Sequence, residues 1–177
     1  MKRISLFIAF ILMVFLFFTA CGNNDGDVSD PVSEGISEDV SAVPVTVEVK
    51  AHGIKLAVPQ DYAVTQGETV MIVTPEGKDN ITVVSAAGSL DDFTQKNMTA
   101  ALQTEFDFEF FSSYEKTEVN GLKAIAYTFE PEIDGVTLYI KQLNVQAGEN
   151  VVTVTYCLTD ISGKEEFESI LQTVALE

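Results

Sequence analysis

The chain has 177 residues, 46% of them hydrophobic, with 27 Asp and Glu against 10 Lys and Arg, one His, two Cys and no Trp, for a formal charge of −17 at pH 7. That length suits one compact domain with an appendage and leaves no room for two full domains. So acidic a chain lacks the clustered Lys and Arg that neutralise phosphates, which excludes nucleic acid as a partner. Beyond Lys2 and Arg3 every cation is a lysine, so the net charge of the remainder is more negative still.

Lys2 and Arg3 precede an apolar run, Ile4 to Phe18, interrupted only by Ser5 and followed by Thr19-Ala20-Cys21-Gly22. A short positive start, an apolar stretch and small residues before a cut point are the layout of a secretory signal, here residues 1–20. The stretch Phe18-Thr19-Ala20-Cys21 resembles the lipobox of bacterial lipoproteins. That resemblance implies a diacylglyceryl group on Cys21, with fatty chains such as palmitate, and an extracytoplasmic location anchored to the bacterial cell membrane. A single acyl chain binds membranes only at roughly 10⁴ M⁻¹, whereas two hold stably. The alternative is an uncleaved spanning helix. Ile4 to Ala20 sits at the lower edge of the ~17–25 residues such a helix needs, and Gly22-Asn23-Asn24-Asp25 supplies no basic flank after it. The lipidated cysteine is therefore the favoured reading.

Residues 21–43 follow as the lipidated Cys and an acidic spacer rich in Asp, Glu, Ser, Gly and Pro. Such a composition cannot bury enough apolar surface to offset its ordering entropy. As a flexible coil it reaches on the order of 25 Å, enough to hold a folded domain clear of headgroups. Asn23-Asn24-Asp25-Gly26-Asp27 invites comparison with a calcium loop. Placing Gly26 sixth puts Cys21 first and Val32 twelfth, and neither side chain donates an oxygen.

Residues 44–177 form the domain. Val45 to Lys50 and Gly53 to Val58 alternate as strands, the second stopped by Pro59. Glu68 to Thr74 and Asn80 to Ala87 flank a turn at Pro75-Glu76-Gly77-Lys78-Asp79. A helix is predicted from Ser89, an N-cap with Asp92 three residues on, through Leu102. Leu122 to Phe129, Val136 to Val145 and Asn150 to Leu158 are strands, with turns at Gly135 and Ala147-Gly148-Glu149-Asn150. The last helix opens on the capping box Ser162-Gly163-Lys164-Glu165. It sets Phe167, Ile170, Leu171 and Val174 on one face. Ile125, Tyr127 and Phe129 alternate with Ala124 and Ala126, so the sheet is apolar on both sides and needs cover on both. The expected class is α+β: an antiparallel β-sheet flanked by helices.

That order of elements resembles the PsbP/DcrB-like family over residues 52–174. The resemblance is carried by Gly53-Ile54-Lys55-Leu56-Ala57-Val58-Pro59, Ser89-Leu90-Asp91-Asp92-Phe93, Val119-Asn120-Gly121-Leu122-Lys123-Ala124, Val151-Val152-Thr153-Val154-Thr155-Tyr156 and the Phe167-x-x-Ile170-Leu171 helix. It implies a PsbP-like αβα sandwich and a non-enzymatic accessory or binding role at the cell envelope, with an envelope protein as partner. It carries no catalytic residues and no cofactor.

Candidate sites are few. His52 is the only histidine, so any Ser-His-Asp or Cys-His chemistry would have to use it. Its place beside Gly53 at a strand start suits an ordinary surface imidazole better. Cys157 lies in a strand pattern with no cation beside it, which reads as core rather than a reactive thiol. Glu130, Glu132 and Asp134 crowd one hairpin, and Glu105, Asp107 and Glu109 alternate with phenylalanines. Either group could offer oxygens to a hard cation such as calcium, although most such runs are solvated faces. Phe106, Phe108, Phe110 and Phe111 place four phenylalanines within six residues. They read either as core capping the sheet or as an aromatic patch that docks a partner. The alternatives to the accessory module are thus an acid-cluster calcium-dependent binding protein and a hydrolase built on His52.

Overall fold

The computed structural model describes residues 45–105, 111–133 and 135–177. The first strands, β1 (Thr46–Ala51) and β2 (Ile54–Pro59), form a hairpin. Its two-residue loop is His52-Gly53, both at positive φ (55° and 85°). That is the pairing a type I′ turn requires, and glycine reaches it without steric cost. Val49, Ala51, Ile54, Leu56 and Val58 all point inward from this hairpin. The C-terminal strand β12 (Ala175–Leu176) pairs with the other edge of β2 and makes a three-stranded sheet.

The larger sheet has seven antiparallel strands in the order β3-β4-β5-β11-β10-β7-β6. In chain order these are β3 (Ala63–Thr65), β4 (Val70–Val73), β5 (Asn80–Ala87), β6 (Ser113–Val119), β7 (Leu122–Phe129), β10 (Tyr139–Ala147) and β11 (Asn150–Leu158). A short pair, β8 (Glu132–Ile133) with β9 (Val136–Thr137), interrupts the link from β7 to β10. Two helices complete the described residues: α1 (Gln95–Glu105) and α2 (Lys164–Leu171). Neither is long and apolar enough to cross a membrane.

The large sheet is covered on both faces, as its two-sided patterning demands. One face carries Val70, Ile72, Ile81, Val83, Leu143, Val145, Val152, Val154, Tyr156 and Leu158. It shares one core with β1, β2 and the Phe167, Ile170, Leu171 side of α2. The other carries Ile125, Tyr127, Phe129, Ile140, Val151 and Cys157 against Phe93, Met98 and Leu102 of the α1 region. The expected single sheet flanked by helices differs in one respect: a second sheet shares one face with α2, and Ala124 and Ala126 belong to the core that includes this sheet.

Local signals explain most boundaries. Asn120-Gly121, at φ 49° and 80°, closes the β6–β7 hairpin as a second type I′ turn. Asn120 Nδ2 also donates to the carbonyls of Gln172 (2.8 Å) and Val174 (2.9 Å), tying this turn to the end of α2. Two helix starts differ from the sequence pattern. Ser89 does cap, its hydroxyl accepting from Asp91 N at 3.2 Å, but only a 3-10 turn at Leu90–Asp92 follows and α1 begins at Gln95. At the second helix Asp160, not Ser162, supplies the cap, accepting from Ser162 N at 2.9 Å. A carboxylate one turn earlier satisfies the orphan N–H and starts a 3-10 turn that runs into α2.

Candidate functional site

The candidate residues lie in separate parts of the fold. The signal segment 1–20, Cys21 and the spacer 21–43 lie outside the described residues, as do Phe106, Phe108, Phe110 and Asp134. Phe111 is 9% exposed and packs in the core beneath α1. Its ring meets Tyr127 edge-on at 5.2 Å, Tyr114 at 5.9 Å and Phe129 at 6.5 Å. Aromatic pairs at such separations add roughly 0.5–1.5 kcal/mol beyond their burial. At this position the phenylalanine run is core. Tyr114 donates its hydroxyl to the Phe93 carbonyl and so pins the entry of α1 to β6.

Glu130 accepts a hydrogen bond from Ser112 Oγ at 3.1 Å, and Glu132 is exposed in β8, opposite Thr137. Among the described residues no group of three or more His, Cys, Asp or Glu is arranged to hold a metal ion. His52 occupies the β1–β2 turn, with Glu177 N donating to the neighbouring Gly53 carbonyl at 3.1 Å.

Cys157 is buried on the α1 side of β11. Burial, with a smaller contribution from the Asp79 carboxylate, pushes its thiol up to about 12. Asp79 is itself fixed, accepting from Thr159 N (2.8 Å) and Thr159 Oγ1 (3.0 Å). A thiol so raised is inert, because the thiolate is the nucleophile. Alkylation of Cys157 in the native protein at pH 8 is expected to be very slow and to become rapid in denaturant, read by peptide mass mapping. The same shift has a stability consequence. The folded thiol lies above the ordinary value of 9.0, so its contribution is complete below pH 9 and falls away as pH rises toward 12. Burial raises Tyr62, Tyr127 and Tyr156 in the same direction. Thermal melts should therefore show a midpoint that declines steadily above about pH 9.

Helix α2 is held by polar as well as apolar contacts. Glu168 accepts from Tyr156 OH at 2.9 Å and from Lys141 Nζ at 2.5 Å, both reaching up from the sheet. Tyr156 stacks on Tyr139 at 6.0 Å, and Lys164 Nζ lies 5.1 Å above the Tyr139 ring. One carboxylate thereby answers two sheet donors, and α2 cannot shift without breaking both. Gln146 does similar work at the opposite end of β10. Its Oε1 accepts from Leu90 N at 3.1 Å and its Nε2 donates to the Gly88 carbonyl at 3.1 Å.

The feature that the sequence reading missed is polar. On the α1 side, buried Thr82, Gln142, Asn144 and Thr155 occupy the middle of the sheet. Tyr127 donates its hydroxyl to Gln142 Oε1 and lies 3.5 Å from Met98 Sδ. Thr153 Oγ1 donates to Asn144 Oδ1 at 2.8 Å, and Asn144 Nδ2 donates to the Ile125 carbonyl at 3.1 Å. The signal was present: Gln142, Asn144 and Gln146 alternate with Leu143 and Val145, while Thr153 and Thr155 alternate with Val152, Val154 and Tyr156. Such alternation usually marks a solvated face, and only the third dimension shows that α1 covers it.

Neither a protein-family model nor a curated protein sequence matches this chain. Among solved structures, cyanobacterial PsbP (CyanoP) from Synechocystis sp. PCC 6803 is similar, with a TM-score of 0.58 and 8% identity over 79% of this chain and 98% of that one. A Pseudomonas aeruginosa protein of unknown function gives a TM-score of 0.52 at 12% identity, over 75% of this chain and 97% of its own. A Bacteroides thetaiotaomicron structure reaches 0.49 at 11% identity, and the chain spans only 45% of that protein's length. At these identities the likeness is one of fold. This chain is an α+β domain of antiparallel sheets flanked by two helices, similar in fold to the cyanobacterial PsbP structure.

Proposed function

We propose that this protein is a lipid-anchored, extracytoplasmic accessory or binding module of the bacterial cell envelope, without enzymatic activity. Residues 1–20 are its signal, 21–43 the lipidated Cys and spacer, and 44–177 a PsbP/DcrB-like domain. One observation carries the reading: Cys21 stands directly after Phe18-Thr19-Ala20 at the end of a cation-led apolar run and ahead of an acidic spacer. A diacylglyceryl thioether at that sulfur moors the domain, and two acyl chains make the mooring stable. The likeness to cyanobacterial PsbP supports the domain half of the reading. The reading favours a binding role over hydrolysis because a triad needs its base bonded to its neighbours, and among the described residues His52 Nε2 has no hydrogen-bond partner.

Metabolic labelling with a palmitate analogue tests the anchor. The wild-type chain should carry label and fractionate with membranes, whereas Cys21→Ala should lose the label entirely. Equal label in the two would end the reading. In-cell crosslinking with mass spectrometry then names the envelope neighbour that the module serves.

A further inference from the structure

Strand pairing lays four hydrogen-bonding side chains in a row across the α1 side of the large sheet. Thr82 of β5 is opposite Thr155 of β11, Thr155 is opposite Gln142 of β10, and Gln142 is opposite Tyr127 of β7. The neighbouring row, Thr153 and Asn144, closes on itself through the hydrogen bonds described above. The first row does not. Tyr127 and Gln142 Oε1 satisfy each other, but Thr82 Oγ1 is fully buried and has no hydrogen-bond partner among the described residues. Thr155 and Gln142, next along the row, are buried residues as well. Buried polar groups are paired with protein or ordered water in the great majority of cases, because leaving them bare is costly. Here the orphaned Thr82 hydroxyl faces two further polar side chains, Thr155 and Gln142, on the two adjacent strands. Directly opposed side chains lie only about 4.5–5.5 Å apart at Cβ, so one oxygen-sized group can reach two of them.

We propose that Thr82, Thr155 and Gln142 form a binding site, on the α1 side of the large sheet, for a neutral hydroxyl-bearing guest. Neutrality follows from the lining. Asn80, Val84, Cys157, Thr153, Ile140 and Asn144 flank the row on these three strands, and none is charged at neutral pH. A hydroxyl fits this set: the Gln142 amide nitrogen donates, while the threonine hydroxyls take either role. An ordered water and the hydroxyl of a small organic molecule share this chemistry.

The test uses the full chain and two isosteric variants, Thr82→Val and Thr155→Val. With a guest bound, each variant removes one of its bonds and lowers the melting temperature by about 2–4 °C. The double variant then loses less than the sum, because both act on one guest. A high-resolution crystal structure and native mass spectrometry separate the sources. Density within hydrogen-bond distance of Thr82 Oγ1 at an unchanged native mass identifies water, and an added mass released on denaturation identifies an organic ligand. Either result supports the site. A Thr82→Val melting temperature above wild type, with no density at the hydroxyls, overturns it, since valine would then only relieve a bare polar atom.

Discussion

Replacing Phe167 by alanine is expected to destabilise the domain by about 3–5 kcal/mol, the range for deleting a buried aromatic ring. Domains of this size hold only about 5–15 kcal/mol in all, so a large part of the total would go. The ring is 1% exposed. It meets Tyr156 edge-on at 5.6 Å and Tyr62 at 6.2 Å, and it fills the space beside Gly163. Its removal opens a cavity between α2 and the sheet that neighbouring strands cannot collapse to fill. The loss extends to polar contacts, because Glu168 keeps Tyr156 and Lys141 only while α2 holds its register. Urea unfolding followed by circular dichroism measures the effect. A loss under about 1 kcal/mol would mean that α2 is not a working part of the core.

Leu102→Ala is expected to cost about 2–5 kcal/mol, with a different distribution. Helix α1 faces inward through Met98, Ala101 and Leu102, and Leu102 is wholly buried. Its first turn has no acid and its last turn no base, so charge does nothing to complement the helix dipole. Beyond the Tyr114 tie at its entry and the Thr94 hydroxyl that accepts from Asn97 N at 3.2 Å, packing holds it. Truncating Leu102 should therefore free α1 before the sheet, in the manner of sub-global opening. Hydrogen exchange should accelerate over residues 95–105 well ahead of β11. Equal acceleration in both would show that helix and sheet open as one unit.

The strands the chain announced most clearly are those with two neighbours. Asn80–Ala87, Leu122–Phe129 and Asn150–Leu158 have the boundaries expected of them, because buried strands carry continuous apolar residues and end at polar or glycine turns. Ser113–Val119 was not expected as a strand. Tyr114, Glu115, Lys116, Thr117 and Glu118 show no apolar alternation, since an edge strand is fastened by hydrogen bonds along one side and its charges discourage further pairing. Its one local clue was Asn120-Gly121, a hairpin turn awaiting a partner for β7. The first helix was anticipated from Ser89, yet Phe93 takes a non-helical backbone (φ −86°, ψ 43°) and divides it. The buried Phe93 ring packs in the core beneath α1. Of the candidate positions, the burial of Cys157 was legible from its strand pattern, whereas the burial of Gln142, Asn144, Thr82 and Thr155 was not.

The amino-acid sequence alone determined the acidic character, the position of Cys21, the strands at the centre of the sheet and the inward face of α2. Each depends on composition or on a period within one segment, and such patterns need no partner to be read. The tertiary structure decided which element covers which face. Strands expected at Val45–Lys50 and Gly53–Val58 form, with Ala175–Leu176, a separate sheet beside α2 instead of joining the large one. The row of Thr82, Thr155, Gln142 and Tyr127 exists only through strand register, which joins residues far apart in the chain. Side chains that alternate with apolar neighbours look solvated until α1 is laid over them, because burial is a property of the packed whole.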